Sequence, residues 1–171
     1  MTKLNNITDI YNINLLKGII ICKDSGEYLV DLILDSDINP ILLSSFVGAL
    51  SLFGKDSLGK IEEIMIKGLN VEMVIVSKHK LILIAIMDKS FNKYYLREEA
   101  KRALDNFYAF YKNDIDECYD ISKFESFKKI LLMQIIEYFD KIKDRDNKQP
   151  IEDFGFFTEA IKKMKKQKIE E

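Results

Sequence analysis

The chain has 171 residues, 47% of them hydrophobic and 32% charged, with 26 basic side chains against 28 acidic ones. That supplies apolar material for one packed domain, whereas a disordered chain would need fewer apolar residues and a larger net charge. A net charge of −2 lacks the basic excess of a duplex-binding protein, so no nucleic-acid partner is expected.

The charges are spread unevenly. Residues 1–89 carry 9 Lys and 11 acids, and residues 90–171 carry 17 basic and 17 acidic side chains. This predicts a buried first half and exposed helices in the second. The N-terminus MTKLNNITDIYN has no continuous apolar stretch of the secretory kind, and Cys22 and Cys118 lie far apart. The expectation is a cytoplasmic chain with both thiols in the core and no disulfide. Leu81 to Met87 is the longest strongly apolar run, too short to span a bilayer.

In chain order, residues 1–16 form an N-terminal segment. Lys17 to Lys23 and Glu27 to Leu34 then read as two strands joined by Asp24-Ser25-Gly26, where Gly26 is free to take positive φ. Asn39-Pro40 reads as an N-cap followed by the first helical residue, and the helix should run to about Phe53 before Gly54. Three strands follow, Ile61 to Lys67, Val71 to Ser77 and Leu81 to Met87, with turns at Gly68-Leu69-Asn70 and Lys78-His79-Lys80. Continuous apolar runs place Ile19 to Cys22 and Leu81 to Met87 at the centre of a sheet covered on both faces. Ile61 to Lys67 is broken by charge and suits an edge.

From Tyr94 the period becomes 3.6, with Leu96, Ala100, Ala103, Leu104, Phe107 and Phe110 on one face. After the acidic stretch Asp114 to Asp120, Ser122-Lys123-Phe124-Glu125 has the form of a capping box opening a helix through Phe127, Leu131, Ile135, Tyr138 and Ile142. Residues 143–153 read as a linker. Residues 154–171 read as an amphipathic helix with Phe156, Phe157, Ile161 and Met164 among Lys162, Lys165 and Lys166. Such a helix suits a partner groove or weak peripheral contact with an anionic membrane, although neighbouring acids nearly cancel its charge.

No catalytic, cofactor or metal site is expected. Gly54-Lys55-Asp56-Ser57-Leu58-Gly59-Lys60 fits G-x-x-x-x-G-K, but a helix precedes it, a strand follows it and position 61 is Ile, so it lacks the context of a phosphate loop. His79, the single histidine, sits between two lysines in a turn and reads as a solvated residue. One His and two distant Cys cannot hold a structural zinc.

The informative feature is the stretch Ile38 to Gly54, which holds no charged residue. At 100° per residue, Leu42, Leu43, Phe46, Val47, Ala49, Leu50 and Phe53 fill one broad face that a sheet can bury. Ile41, Ser44, Ser45, Gly48, Ser51 and Leu52 fill the other. An exposed helix would carry Lys or Glu there, and small residues suit close approach of a second backbone, so this face is expected to meet another chain. The alternative is that the protein's own tail or N-terminal segment covers it.

Residues 17–142 resemble the longin-like branch of the longin/roadblock superfamily. The resemblance rests on the hairpin from Gly18-Ile19-Ile20-Ile21 through Asp24-Ser25-Gly26-Glu27-Tyr28-Leu29, the uncharged helix Leu42 to Leu50, the strand trio, and a last helix entered by an acidic turn over Asp116 to Ile136. Thr8 to Leu16 would correspond to the extra first helix of roadblock proteins, while two C-terminal helices favour longin. The resemblance implies an α+β, longin/profilin-like fold, β-β-α-β-β-β-α-α, with a five-stranded antiparallel sheet of order 2-1-5-4-3 and helices on both faces. It also implies a non-enzymatic, cofactor-free module that forms homodimers or heterodimers with another longin or roadblock protein. Such a module serves a small GTPase or a trafficking-type assembly. Carried onto this chain, the dimer interface is Ile41, Ser44, Ser45, Gly48 and Leu52 of the helix with Glu63, Met65 and Lys67 of the third strand. The alternatives are a small-molecule sensor on a similar sheet and a roadblock-type GTPase regulator.

Overall fold

A computed structural model describes residues 13–117 and 120–148. A 3-10 turn, Ile13–Leu15, leads into strands β1 (Leu16–Lys23) and β2 (Tyr28–Ile33). Helix α1 (Pro40–Ser57), strands β3 (Glu63–Lys67), β4 (Val71–Lys78) and β5 (Leu81–Asp88), and helix α2 (Leu96–Tyr111) come next. A second 3-10 turn, Ile121–Phe124, precedes helix α3 (Phe127–Lys148). The sheet order is β2-β1-β5-β4-β3, with all neighbours antiparallel. This is the α+β topology that the sequence patterning and the resemblance together imply. The chain divides into two compact units, Met1–Tyr138 and Phe139–Glu171, and the second is described only through its helical stretch 139–148.

Register decides which residues share a face. One row runs Asp31, Ile20, Ile84, Ile75, Ile64 across the five strands, and the adjacent row, on the opposite face, runs Val30, Ile21, Leu83, Val76, Glu63. Residues Leu81 to Met87 of β5 are all buried, as the unbroken apolar run requires of a central strand. On the first face Ile20, Cys22, Ile75, Ile82, Ile84 and Ile86 form a core to which α1 contributes the buried Val47. On the second, α2 and α3 supply Phe107, Phe127 and Leu131, and Phe124 joins them from the 3-10 turn. All four are essentially inaccessible. The Phe107 ring lies 5.0 Å from Phe127, edge-on, and 5.3 Å from Phe124, within the range of favourable aromatic pairs.

Local chemistry sets the element ends. Asn39 caps α1, its side-chain oxygen accepting from the Leu42 amide at 3.0 Å, and Pro40 stands where a helix needs no amide donor. The capping box expected at Ser122 and Glu125 is not what the structure uses. Asp120 accepts from the Ser122 amide at 3.0 Å and caps the 3-10 turn, because the short Asp side chain already satisfies that donor, and α3 opens only at Phe127. The linker read from Lys143 onward starts too early, since α3 continues through Lys148. No helix breaker occurs between Lys143 and Lys148, and Pro150 is the first residue whose ring disfavours helix at the position before it. Residues Thr8 to Asn12 of the possible first helix, Cys118 and the tail helix 154–171 lie outside the described residues.

Candidate interaction surface

Helix α1 is rotated part of a turn from the orientation expected from its sequence: Val47, Leu43 and Leu50 face the core as expected, but other members of each face change sides. Ser44, Val47, Gly48 and Gly54 are buried, and Leu43, Leu50 and Ser51 are half-buried. Leu42, Phe46 and Phe53, expected against the sheet, are 69%, 53% and 68% exposed, and Ala49 is exposed too. Of the helical residues assigned to a dimer contact, Ile41, Ser45 and Leu52 do face outward, whereas Ser44 and Gly48 face inward.

The cause is a close backbone approach. A Cβ on Gly48 would fall 2.3 Å from the Gly26 Cα and 2.4 Å from its amide nitrogen. Gly26 in turn holds φ at 91° in the β1–β2 turn. Small residues did mark the approach of a second backbone, but that backbone is the chain's own hairpin. One turn earlier, the Ser44 hydroxyl donates to the Pro40 carbonyl at 2.7 Å and lies beside the Cys22 thiol. Burial pushes that thiol up to about 12, with the Ser44 contact acting weakly the other way. Cys22 is therefore a protonated core residue rather than a nucleophile.

What remains outside is a broad apolar face of Ile41, Leu42, Phe46, Leu52 and Phe53 with no charge among them. Isolated exposed apolar residues are ordinary, whereas contiguous stripes of this size are the kind that engage a protein, a membrane or a ligand. By length and composition alone, the 19 residues Pro40–Leu58 are apolar enough to cross a membrane, a test that the core helix of a soluble protein also passes.

Strand β3 adds an open edge. The Ser77 amide donates to the Glu62 carbonyl at 2.9 Å, which fixes the phase of the ladder. Ile64 and Ile66 therefore bond to β4, and the amides and carbonyls of Glu63, Met65 and Lys67 point away from the sheet. Met65 and Lys67 are exposed, while Glu63 is half-buried and paired with Arg97 of α2 at 3.0 Å. The opposite edge, β2, lies against the Ile121–Phe124 turn.

The chemistry expected to be absent elsewhere can also be placed. In the phosphate-loop lookalike, Gly54 to Ser57 belong to α1 and the chain turns at Gly59, φ 84°, so the motif wraps no cradle. His79 is more than a solvated turn residue. Its Nε2 lies 2.7 Å from Asp105 Oδ1, and its ring stacks on Tyr108 with centroids 4.4 Å apart. Lys78 donates to the same carboxyl at 2.7 Å. Hydrogen bonds from Lys78 and His79 hold Asp105 below the usual carboxylate range. These partners lie 26 and 27 residues apart, and no local pattern announces them. Among the described residues, no group of three or more His, Cys, Asp or Glu could hold a metal.

No family model and no curated protein matches the chain. Solved structures do. MglB from Myxococcus xanthus superposes with a TM-score of 0.51 at 14% identity, covering 63% of this chain and 84% of that one. A roadblock/LC7 domain from Streptomyces avermitilis gives 0.49 at 9% identity, covering 56% of this chain and 84% of that one. The gliding protein MglB from Thermus thermophilus gives 0.46 at 10%, covering 57% and 82% respectively. The strand order, the helix layers and the superposition on MglB together give this chain a longin/roadblock-like fold.

Proposed function

We propose that this protein is a non-enzymatic interaction module that self-associates through the outer face of α1 and the open edge of β3, and in that form presents a surface to a small GTPase. The observation that carries the reading is the uncovered stripe of Ile41, Leu42, Phe46, Leu52 and Phe53 in a helix without charge over most of its length. A second copy suits both features. Antiparallel pairing of two β3 edges about a two-fold axis at Met65 sets Glu63 opposite the partner's Lys67, and the reverse, so the edge is complementary to itself in charge. The roadblock-like fold supports association of this kind, and the superfamily resemblance supplies the GTPase as the class of partner. A cytoplasmic location is part of the reading. A heteromeric longin or roadblock partner would use the same surface.

The direct test is light scattering on the full chain and on the double variant Phe46→Glu/Phe53→Glu. Both side chains are exposed, so the variant should keep the circular dichroism of the wild type and become monomeric. A wild type already monomeric at high concentration would end the proposal. A Gly48→Glu change would not serve as a probe, because Gly48 is packed against Gly26 and a side chain there would disturb the fold itself.

A further inference from the structure

The two lysines of the G-x-x-x-x-G-K stretch serve no cradle, yet the fold brings them to a place of their own. Lys55 lies in the last turn of α1, and Lys60 follows the turn at Gly59. Both line a groove of about 470 Å³ together with Lys78, His79 and Lys80 of the β4–β5 hairpin. His79 and Lys80 hold φ at 57° and 58°, so the hairpin turns in the tight two-residue form with both residues left-handed. The Asp24 amide donates to the Lys80 carbonyl at 2.9 Å and ties this turn to the neighbouring β1–β2 turn.

The charge balance of the groove is one-sided. Lys78 is neutralised by Asp105, but Lys55, Lys60 and Lys80 form no ion pair with any described carboxylate. Asp24 is the one acid among the described residues of the lining. Three segments of a protein with net charge −2 therefore set lysines without a described ion-pair partner around one concavity. Like charges gathered over a floor of Ile61 and Leu81 repel one another, and a concave low-dielectric wall focuses their field outward. The hydroxyls of Ser51 and Ser77 add neutral donors. The described lining contains no arginine fork, the group that recognises carboxylates and phosphates alike in two-point fashion. Ammonium groups act as point charges suited to phosphate.

From this we infer that the groove between the end of α1 and the β4–β5 turn is a binding site for a polyphosphate-type anion, one carrying two or more phosphate groups. The site lies apart from the α1 stripe and the outward groups of β3, and does not depend on self-association.

The test uses inorganic tripolyphosphate, and vesicles of phosphatidylcholine with and without a phosphatidylinositol bisphosphate, against the full chain. The variant is Lys55→Ala/Lys60→Ala/Lys80→Ala, which spares the Lys78–Asp105 pair and should melt as the wild type does without ligand. Wild type should bind at low ionic strength and weaken as salt screens the site. The triple variant should bind about tenfold more weakly or not at all, as expected when charge-assisted contacts are removed. Phe46→Glu/Phe53→Glu should bind as the wild type, which separates this site from the association surface. Saturation by free tripolyphosphate assigns a soluble ligand, and retention only on the phosphoinositide vesicles assigns a lipid headgroup. Absence of binding to both probes, or equal binding by the triple variant, overturns the inference.

Discussion

The two faces of the sheet are built on opposite plans. Beneath α2 and α3 a cluster of aromatic side chains points inward, although Phe110 of α2, expected on the buried face, and Met133 of α3 are exposed. Phe107, Phe124 and Phe127 pack ring to ring, and charges lie at the rim, where Arg102 bridges Glu99 at 2.9 Å and Glu137 at 3.1 Å. Beneath α1 the small side chains point inward, and Phe46 and Phe53 look out. The first plan completes itself within one chain. The second gains close backbone contact at Gly48 and Gly26 and leaves an apolar stripe in water, the kind of patch that the proposed self-association would cover.

Deleting an inward group on each face tests that difference. Phe107→Ala removes the centre of the aromatic cluster and should lose about 3–5 kcal/mol of stability in urea unfolding. Gly48→Ala forces a Cβ into the Gly26 backbone and should cost about 3 kcal/mol, an overpacking penalty in place of a cavity. If Gly48→Ala were neutral, the helix would not pack on its small face. Asn39→Ala removes the α1 cap and should cost about 1 kcal/mol by the same assay.

Titration sharpens the contrast at the sheet margins. Glu72 is buried on β4 and hydrogen-bonded to Lys93, and that bond holds its carboxyl below the ordinary value of 4.5. A depressed folded value means that this contribution is complete above about pH 4.5 and is lost as pH falls through the folded value. Glu72→Gln should therefore flatten the acid limb of stability against pH. Cys22 behaves in the opposite sense. With its thiol raised from 9.0 to about 12, its contribution holds below pH 9 and declines as pH rises toward 12. Native protein should resist thiol reagents at Cys22 at neutral pH. The smallest stability effect belongs to the outward face, where Phe46→Ser should change monomer stability by about 0.5 kcal/mol or less, its consequence appearing in association.

Much of the fold was legible because apolar continuity reports burial directly. The unbroken run in β5 marks the centre, the charges of Glu63 and Lys67 mark an edge, and Asn39-Pro40 marks a helix start. The exact rotation of α1 was not legible for a physical reason: a helix uncharged from Pro40 to Gly54 has no charged face to show which way is out. A signal did exist in the spacing of Ser44, Gly48 and Ser51, which form one small-residue stripe opposite the glycine of the preceding hairpin. The Lys78–Asp105–His79 cluster and the basic groove were invisible, because their members meet only after the strands pair. The edge residues Glu63, Met65 and Lys67 were identified from the resemblance, and the ladder phase supplies the reason they matter.

Exchange of the Met65 backbone amide, followed residue by residue at low and high protein concentration, tests the central claim most directly. In an isolated chain this amide points away from the sheet and should exchange freely. At high concentration it should become protected in the wild type and stay fast in Phe46→Glu/Phe53→Glu. A Met65 amide that exchanges at the same rate at both concentrations in the wild type would contradict association through the β3 edge and the α1 stripe.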